Sequence, residues 1–391
     1  MSATAEPAEK TSLGELALLF LRLGATAFGG PVAHIAIMED EVVRRRRWLT
    51  EERFLDLLGA TNLIPGPNST EMAIHIGWAR RRWPGLVVAG LAFIVPAMLM
   101  TGALGWAYVR YGTIPTAVWF FYGVKPVVLA VVVQAIWGLA PRAARTRPLR
   151  ILAVLAATLT VVGVNELAVL LGGGLLSVAA ARLPRSPPAG PDVPLHQIAP
   201  LLPVAAGAVA SSAVGVSSLF LLFLKIGSVL FGSGYVLLAF LRADLVERLG
   251  WLSESQLIDA IAVGQITPGP VFTTATFIGY VLAGPNGALA ATAGIFLPAF
   301  VFVALSGPLV PRLRASPTAG TFLDGVNVAS LALMTVVTLQ LGHAALVDLP
   351  TVALALVAAG LLLWFRPNTS WLVLGGAGAG WALHVLGLAS R

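Results

Sequence analysis

The sequence predicts an all-α integral membrane protein made of two homologous repeats in inverted topology. Only 11% of its 391 residues are charged, whereas a soluble domain carries about 25%. Apolar blocks long enough to cross a hydrocarbon core of about 30 Å recur along the whole chain, without the alternating polarity of barrel strands. The third observation is a repeated motif: Pro65-Gly66-Pro67 returns 203 positions later as Pro268-Gly269-Pro270.

The same shift aligns the flanks of both motifs. Matched positions include Gly24 and Gly227, Phe28-Gly29 and Phe231-Gly232, Trp48-Leu49 and Trp251-Leu252 and, after a one-residue deletion, Pro96-Ala97 and Pro298-Ala299. Matches spread over such a length indicate a duplicated unit. We therefore divide the chain into a polar tail (1–12), a first membrane repeat (13–183), a linker with room for one extra span at 198–214 (184–215) and a second membrane repeat (216–391).

Each repeat is predicted to begin with interrupted helices. An apolar helix at Leu13–Phe28 is broken by Gly29-Gly30-Pro31 and then resumes. Thr50 is the predicted N-cap of a helix that ends at the first Pro-Gly-Pro, and a short helix follows at Asn68–Arg82. Neither piece beside the break reaches the roughly 20 residues of a span, so together they predict a re-entrant hairpin or a broken span.

Regular spans are predicted to follow, four in each repeat. Their ranges are 85–109, 115–140, 149–163 and 166–183, then 286–306, 319–342, 349–365 and 370–388.

The loop charges indicate opposite orientations for the two repeats. In the first repeat, arginines cluster at 44–47, 80–82 and 142–150, whereas the matching loops of the second repeat have few cations. Conversely, Arg312, Arg314 and Arg366 lie in loops whose first-repeat counterparts are poorer in arginine. Positive residues mark the cytoplasmic side, so the bias has changed sides between the repeats. This layout is common in secondary transporters, which bind their substrate where the repeats meet.

Three cations within apolar segments are candidate substrate ligands: Arg22, Lys125 and Lys225. Such charges are costly in a membrane and are often functional. Arg22 and Lys225 occupy the same position in the two repeats, and three positive charges favour an anionic substrate. The alternative is structural, with each side chain snorkelling to the interface or pairing with a carbonyl at a helix break.

The two breaks are a second candidate site. A helix that begins after Pro67 or Pro270 leaves its first N–H groups free at membrane depth, and these donors bind anions. A simple proline kink is the alternative interpretation. Further candidates are the glycines that interrupt the first helices and the polar residues after the breaks, namely Gly29, Gly30, Gly232, Asn68, Ser69, Thr70 and Thr273.

Three groups are candidates for proton coupling. Glu71 lies in the first turn after the first break, where it either carries a proton or stabilises the start of the helix. His34 and His75 either relay protons or act as packed, hydrogen-bonded side chains.

Several functional classes are excluded or disfavoured. The chain has no cysteine, so it has no disulfide or thiolate site, and no metal or cofactor is expected. His-Glu-x-x-His, Gly-x-Ser-x-Gly and Walker A patterns are absent, which argues against an enzyme and an ATP-driven pump. The net charge of +7 comes largely from arginines in short loops and does not indicate nucleic acid.

At these motifs the sequence resembles the chromate ion transporter family in its long, two-repeat form. The resemblance rests on Phe28-Gly29-Gly30-Pro31, the basic stretch before Trp48-Leu49, the first Pro-Gly-Pro and the second-repeat echoes of these motifs. It covers essentially the whole chain and implies export of chromate, a sulfate-like dianion, across a bacterial inner membrane. In the second repeat Ser233-Gly234 replaces Gly30-Pro31, so the two halves are not equivalent.

The interpretation is therefore a secondary oxyanion exporter driven by membrane potential, with proton exchange as an added driving force. The partners expected are the oxyanion and the lipid bilayer, and a homodimer is compatible with the sequence. The alternatives are an uptake transporter for sulfate or another oxyanion, and an anion channel.

Overall fold

The computed structural model of this chain describes residues 11–28, 30–112, 115–182, 214–231, 236–314, 316–365 and 367–387. Every regular element in these ranges is helical. The first-half helices are α1 (Leu13–Thr26), α2 (Gly30–Glu39), α3 (Glu51–Thr61), α4 (Asn68–Tyr111), α5 (Pro115–Ala143), α6 (Arg147–Val161) and α7 (Glu166–Arg182).

The second half repeats this order. Its helices are α8 (Val216–Val229), α9 (Leu237–Leu241), α10 (Glu254–Ile266), α11 (Thr274–Arg314), α12 (Pro317–Ala345), α13 (Leu349–Trp364) and α14 (Thr369–Val385). A π-helix extends α2 over Asp40–Arg45 and α9 over Arg242–Arg248, and a 3-10 turn, Val271–Thr273, precedes α11.

Side-chain caps determine where several of these helices begin. The Thr50 hydroxyl accepts a hydrogen bond from the Arg53 N–H at 3.2 Å, which confirms the predicted N-cap. Ser12 and Ser253 cap α1 and α10 in the same way. Such caps satisfy amides that the first turn of a helix leaves unpaired. α4 differs, because its N-cap residue is Pro67 and no side chain accepts a hydrogen bond there.

α1 and α2 form a helical hairpin. The imidazole Nε2 of His34 lies 3.0 Å from the carbonyl oxygen of Ala27. Further from the turn, Arg22 on α1 pairs with Glu41 in the π-helix that extends α2. The His34–Ala27 contact lies near the ends of the two helices and the Arg22–Glu41 pair lies farther along them, so α2 runs back along α1.

α3 and the start of α4 form a second hairpin, with the first Pro-Gly-Pro at its tip. Arg80 donates to the carbonyl of Trp48 at 2.8 Å. The first part of α4 therefore ends beside the start of α3. α4 then reverses at Arg81 and Arg82, whose dihedral angles are non-helical. The backbones of Gly77 and Gly85 pack together across this reversal. α4 is therefore two antiparallel limbs, 68–80 and 83–111.

The second repeat has the same reversal in α11. Ala283 and Gly284 have φ, ψ values of −146°, 28° and 61°, −153°, close to the −142°, 22° and 52°, −135° of Arg81 and Arg82. After the one-residue deletion in the second repeat, the shift between the repeats is one smaller than 203. Ala283 and Gly284 are therefore the equivalents of Arg81 and Arg82.

The two repeats are interleaved. α5 packs against α13 and α14, α12 packs against α6 and α7, and α4 packs against α11. Glycine permits the closest approach: a Cβ on Gly123 of α5 would lie 2.1 Å from the carbonyl oxygen of Gly376 on α14. Gly325 of α12 is the equivalent of Gly123, and a Cβ on it would lie 2.3 Å from the carbonyl oxygen of Gly173 on α7.

A helix occupies each of the eight predicted span ranges, but not every one has the length of a span. Among the described residues, four helices are long and apolar enough to cross a membrane, and they lie in α4, α5, α11 and α12. The other predicted spans are helices of only 15 to 17 residues, α6, α7, α13 and α14. These short helices cover the long helix of the opposite repeat. All of the extra span considered at 198–214 except its last residue lies outside the described residues.

Candidate substrate site at the Pro-Gly-Pro breaks

The two breaks lie where the repeats meet. The Gly66 N–H donates to the carbonyl of Leu230 at 2.8 Å, and the Gly269 N–H donates to the carbonyl of Ala27 at 2.9 Å. Gly66 and Gly269 are equivalent, and so are Ala27 and Leu230. Each break is thus hydrogen-bonded to the end of the first helix of the other repeat, in a reciprocal pair.

The two glycines of the breaks also have a structural role. Their own N–H groups have carbonyl partners in the other repeat. Their φ values, +141° for Gly66 and +85° for Gly269, favour glycine for conformational reasons. A Cβ on Gly269 would also lie 2.7 Å from the carbonyl oxygen of Gly24. The chain's own geometry therefore requires glycine here.

Free donors remain one step further along the chain. The first-turn amides of Asn68, Ser69 and Thr70 have no acceptor within the described part of the protein. The Thr70 hydroxyl is also buried without a partner there. The side-chain amide of Asn68 donates to the side-chain oxygen of Asn62 at 3.0 Å. Unpaired buried donors at a helix N-terminus form a potential anion site.

More of the hydrogen-bond donors after the second break are paired within the break itself. Both the N–H and the hydroxyl of Thr273 donate to the carbonyl of Pro270, which leaves only the amides of Val271 and Phe272 without a described acceptor. A small cleft lies beside this break, and its polar lining residues are Gln265 and Thr274. The first break therefore offers the richer set of free donors.

Glu71 is fully buried beside the first break. Neither carboxylate oxygen has a hydrogen-bond partner among the described residues. A Cβ on Gly66 would lie 2.3 Å from Glu71 Oε1, so the carboxyl group packs directly against the break. Because this carboxyl group caps no amide, the helix-start alternative lacks its hydrogen bond. An ionised carboxylate without a partner in such surroundings is costly.

The two candidate histidines are also buried. His75 lies one turn after Glu71 on the same helix face, and its Nε2 has no partner in the described structure. His34 bonds the carbonyl of Ala27, the same residue that accepts from the second break. His34 therefore lies on the hairpin whose tip meets the second break, and His75 lies on the hairpin that carries the first break.

Carboxylates accompany all three candidate cations, which the sequence interpretation missed. Arg22 pairs with Glu41 at 3.6 Å, and Lys225 pairs with Asp244 at 3.0 Å, in equivalent positions of the two repeats. The Arg22 side chain is 61% exposed, whereas that of its partner Glu41 is 8% exposed. Glu41 and Asp244 both lie in the π-helix that follows the second helix of the hairpin to which the cation belongs.

Lys125 belongs to a polar cluster between the repeats. Its ammonium lies 3.4 Å from Asp259 Oδ1 and also donates to Ser255, both on α10. Tyr108 on α4 donates to the other oxygen of Asp259 at 2.9 Å. Asp259 is 4% exposed. A carboxylate inside an apolar helix was the sequence signal that could have identified this cluster.

Two predicted site residues, Gly29 and Gly232, lie outside the described residues. Gly30 begins α2 with a φ of +75°. No group of three or more His, Asp or Glu side chains in the described ranges is placed to hold a metal ion.

Comparison with known proteins identifies the family. The model of the chromate transporter family matches residues 14–178 and again 217–381. The chromate transport protein of Cupriavidus metallidurans is 35% identical over 380 residues, covering 94% of this chain and 92% of the relative. The chromate transport protein of Pseudomonas aeruginosa is 32% identical over 386 residues, covering 95% and 92%. No solved structure matches significantly.

These findings agree with the helical architecture. The family model matches twice, as the duplicated motifs require, and the relatives are transport proteins rather than enzymes. Apolar helices of spanning length make the chain a multi-pass membrane protein. The match extends over most of the chain and over most of each relative, so this protein belongs to the chromate transporter family.

Proposed function

We propose that this chain is a secondary transporter that exports chromate across the bacterial inner membrane. The observation that carries the proposal is the set of free, buried donors after the first break, held at the reciprocal junction of the two repeats. The names of the relatives supply the substrate, a tetrahedral dianion similar to sulfate.

In this proposal the N-terminus of α4 binds the oxyanion. The amides of Asn68, Ser69 and Thr70 point along the helix axis toward its positive end, and the Thr70 hydroxyl adds a further donor. The second break, with Thr273 engaged internally, braces the site and has the secondary role. In this proposal Arg22, Lys225 and Lys125 are not ligands of the anion, because each is paired with a carboxylate.

Inverted topology is supported by side-chain contacts between the repeats. Arg145, in the loop after α5, pairs with Asp324 near the start of α12. Tyr122, near the start of α5, donates at 2.6 Å to Asp348, the N-cap of α13 just after the end of α12. The equivalent helices α5 and α12 therefore run antiparallel, as inverted repeats require. Rocking of one repeat against the other around the paired tips would provide alternating access.

Glu71 is proposed as the proton carrier. A carboxylate and a dianion at the same helix end repel each other, so Glu71 is protonated when the oxyanion is bound. A proton then accompanies the oxyanion, in contrast to the exchange expected from sequence. Export of the pair moves one net negative charge outward, which the membrane potential favours by about 2.3 kcal/mol per 100 mV. An opposing proton gradient costs about 1.4 kcal/mol per pH unit.

Flux measurements in proteoliposomes test this function. Chromate and sulfate fluxes are measured with a voltage and a pH gradient imposed separately. We expect saturable chromate movement toward the positive side. Preferential sulfate accumulation against the voltage would instead identify an uptake system. Conductance that neither saturates nor exchanges would identify a channel.

A further inference from the structure

Two arginines adopt a backbone conformation that favours glycine. Among the described residues, the non-glycine residues with positive φ are Arg47 at 51° and Arg82 at 52°. The equivalent residues of the second repeat are Gly250 and Gly284, each with φ of 61°. A Cβ at such an angle crowds the neighbouring carbonyl oxygen. The first repeat therefore keeps arginine at two positions where the fold alone favours glycine.

Both arginines belong to one basic surface, which comprises Arg44–Arg47 and Arg80–Arg82. The two stretches are adjacent, because the Arg80 guanidinium donates to the carbonyl of Trp48 at 2.8 Å. Trp48 directly follows the first stretch.

The charges of the basic surface are only partly neutralised. Arg44–Arg46 form ion pairs with the acids Glu39–Glu41 just before them. Arg47, Arg81 and Arg82 have no acidic partner in the described ranges. Two of these three unpaired guanidinium groups are the ones in the unfavourable backbone conformation.

Tryptophans place the basic surface at the level of lipid headgroups. Trp83 is 60% exposed directly beside Arg82. The ring of Trp78 meets that of Trp83 edge to face at 5.1 Å, and the Arg82 guanidinium lies 5.8 Å from the Trp78 ring centroid. Exposed tryptophans of membrane proteins gather at the bilayer interface.

Membrane orientation alone does not account for the two arginines. The positive-inside rule requires positive charge in the loop and does not require it at one backbone position. The other arginines of the same surface already supply that charge. A guanidinium at a defined position is instead suited to bidentate contact with a phosphate.

We infer that the basic surface binds the phosphate groups of anionic phospholipids, through Arg47, Arg81 and Arg82. This site is separate from the proposed substrate site and goes beyond transport. Its occupant is a lipid headgroup because the surface lies beside exposed interfacial tryptophan, where lipid phosphates are concentrated.

Thermal unfolding of the purified full chain in nanodiscs tests this inference. Nanodiscs of phosphatidylcholine are compared with nanodiscs that also contain phosphatidylglycerol. We expect phosphatidylglycerol to raise the melting temperature of the original protein. The double variant Arg47→Gly/Arg82→Gly should melt higher than the original in phosphatidylcholine, because the backbone is relieved. It should lose at least half of the increment due to phosphatidylglycerol.

The matched control is Arg142→Gln/Arg147→Gln, which removes two exposed arginines from another loop of the same repeat. It should keep the full increment. If the Gly double variant does not reach the membrane, Arg82→Gly alone is measured in the same way. An undiminished increment in the glycine variants overturns the inference. If the half-saturation concentration for chromate also rises in these variants, the basic surface is assigned to substrate attraction instead.

Discussion

Replacing Lys125 by Met removes the positive member of an ion pair between the repeats. Its partner Asp259 is 4% exposed, and the lysine side chain is 18% exposed. Loss of one member leaves an uncompensated buried charge, which typically costs 3–5 kcal/mol, or about 3 kcal/mol here because Tyr108 still bonds Asp259.

The double variant Lys125→Met/Asp259→Asn should recover much of this loss. Asparagine can still accept from Tyr108, and no charge is left unpaired. We therefore expect a coupling energy of about 2 kcal/mol from the double-mutant cycle. Unfolding by sodium dodecyl sulfate in mixed micelles measures each free energy.

The Arg145–Asp324 pair is the matched control. It also joins the repeats, but its side chains are 59% and 37% exposed. Exposed pairs contribute less than about 1 kcal/mol. A coupling energy for Lys125 and Asp259 no larger than that of Arg145 and Asp324 would refute the interpretation of a buried inter-repeat pair.

Three further predictions address coupling, packing and topology. Glu71→Gln should make chromate flux insensitive to an imposed pH gradient. The reversal potential per tenfold chromate gradient should fall from about 59 mV to about 30 mV, because the net charge moved rises from one to two. An unchanged reversal potential would eliminate Glu71 as the proton carrier. Gly123→Ala should destabilise the protein by more than about 2 kcal/mol through overpacking, because its Cβ would meet the backbone of α14, while Gly138→Ala on the same helix has nothing within 4 Å and should be neutral or stabilising. Cysteine labels at positions 145 and 313 should react from the cytoplasm and a label at 247 from outside, and labels at 45 and 247 reacting from the same side would contradict inverted repeats.

Local features of the fold were predictable from sequence. Thr50 caps α3, α4 begins at Asn68 and the helix breaks lie at both Pro-Gly-Pro motifs. These outcomes depend on proline geometry and on side-chain oxygens within three residues of the amides they cap. The duplication was likewise visible, because matched motifs recur at one fixed shift.

Features that depend on distant segments were not predictable. Nothing in the local sequence of Gly66 indicates that its N–H donates to Leu230. The partners of Arg22 and Lys225 were overlooked because Glu41 and Asp244 appear in sequence as loop acids beside arginines. Only the folding back of each hairpin brings them to the cations. The helices at α6 and α13 have nearly the predicted lengths, 15 and 16 residues, and their apolar composition alone led us to predict spans there.

The central claim is that the oxyanion binds at the start of α4. Chromium scatters anomalously, so crystals of the chromate-bound protein measured at the chromium absorption edge locate the ion directly. The account predicts an anomalous peak within hydrogen-bonding distance of the amides of Asn68, Ser69 and Thr70. A peak beside Lys125 or Arg22, with none at the first break, would contradict it.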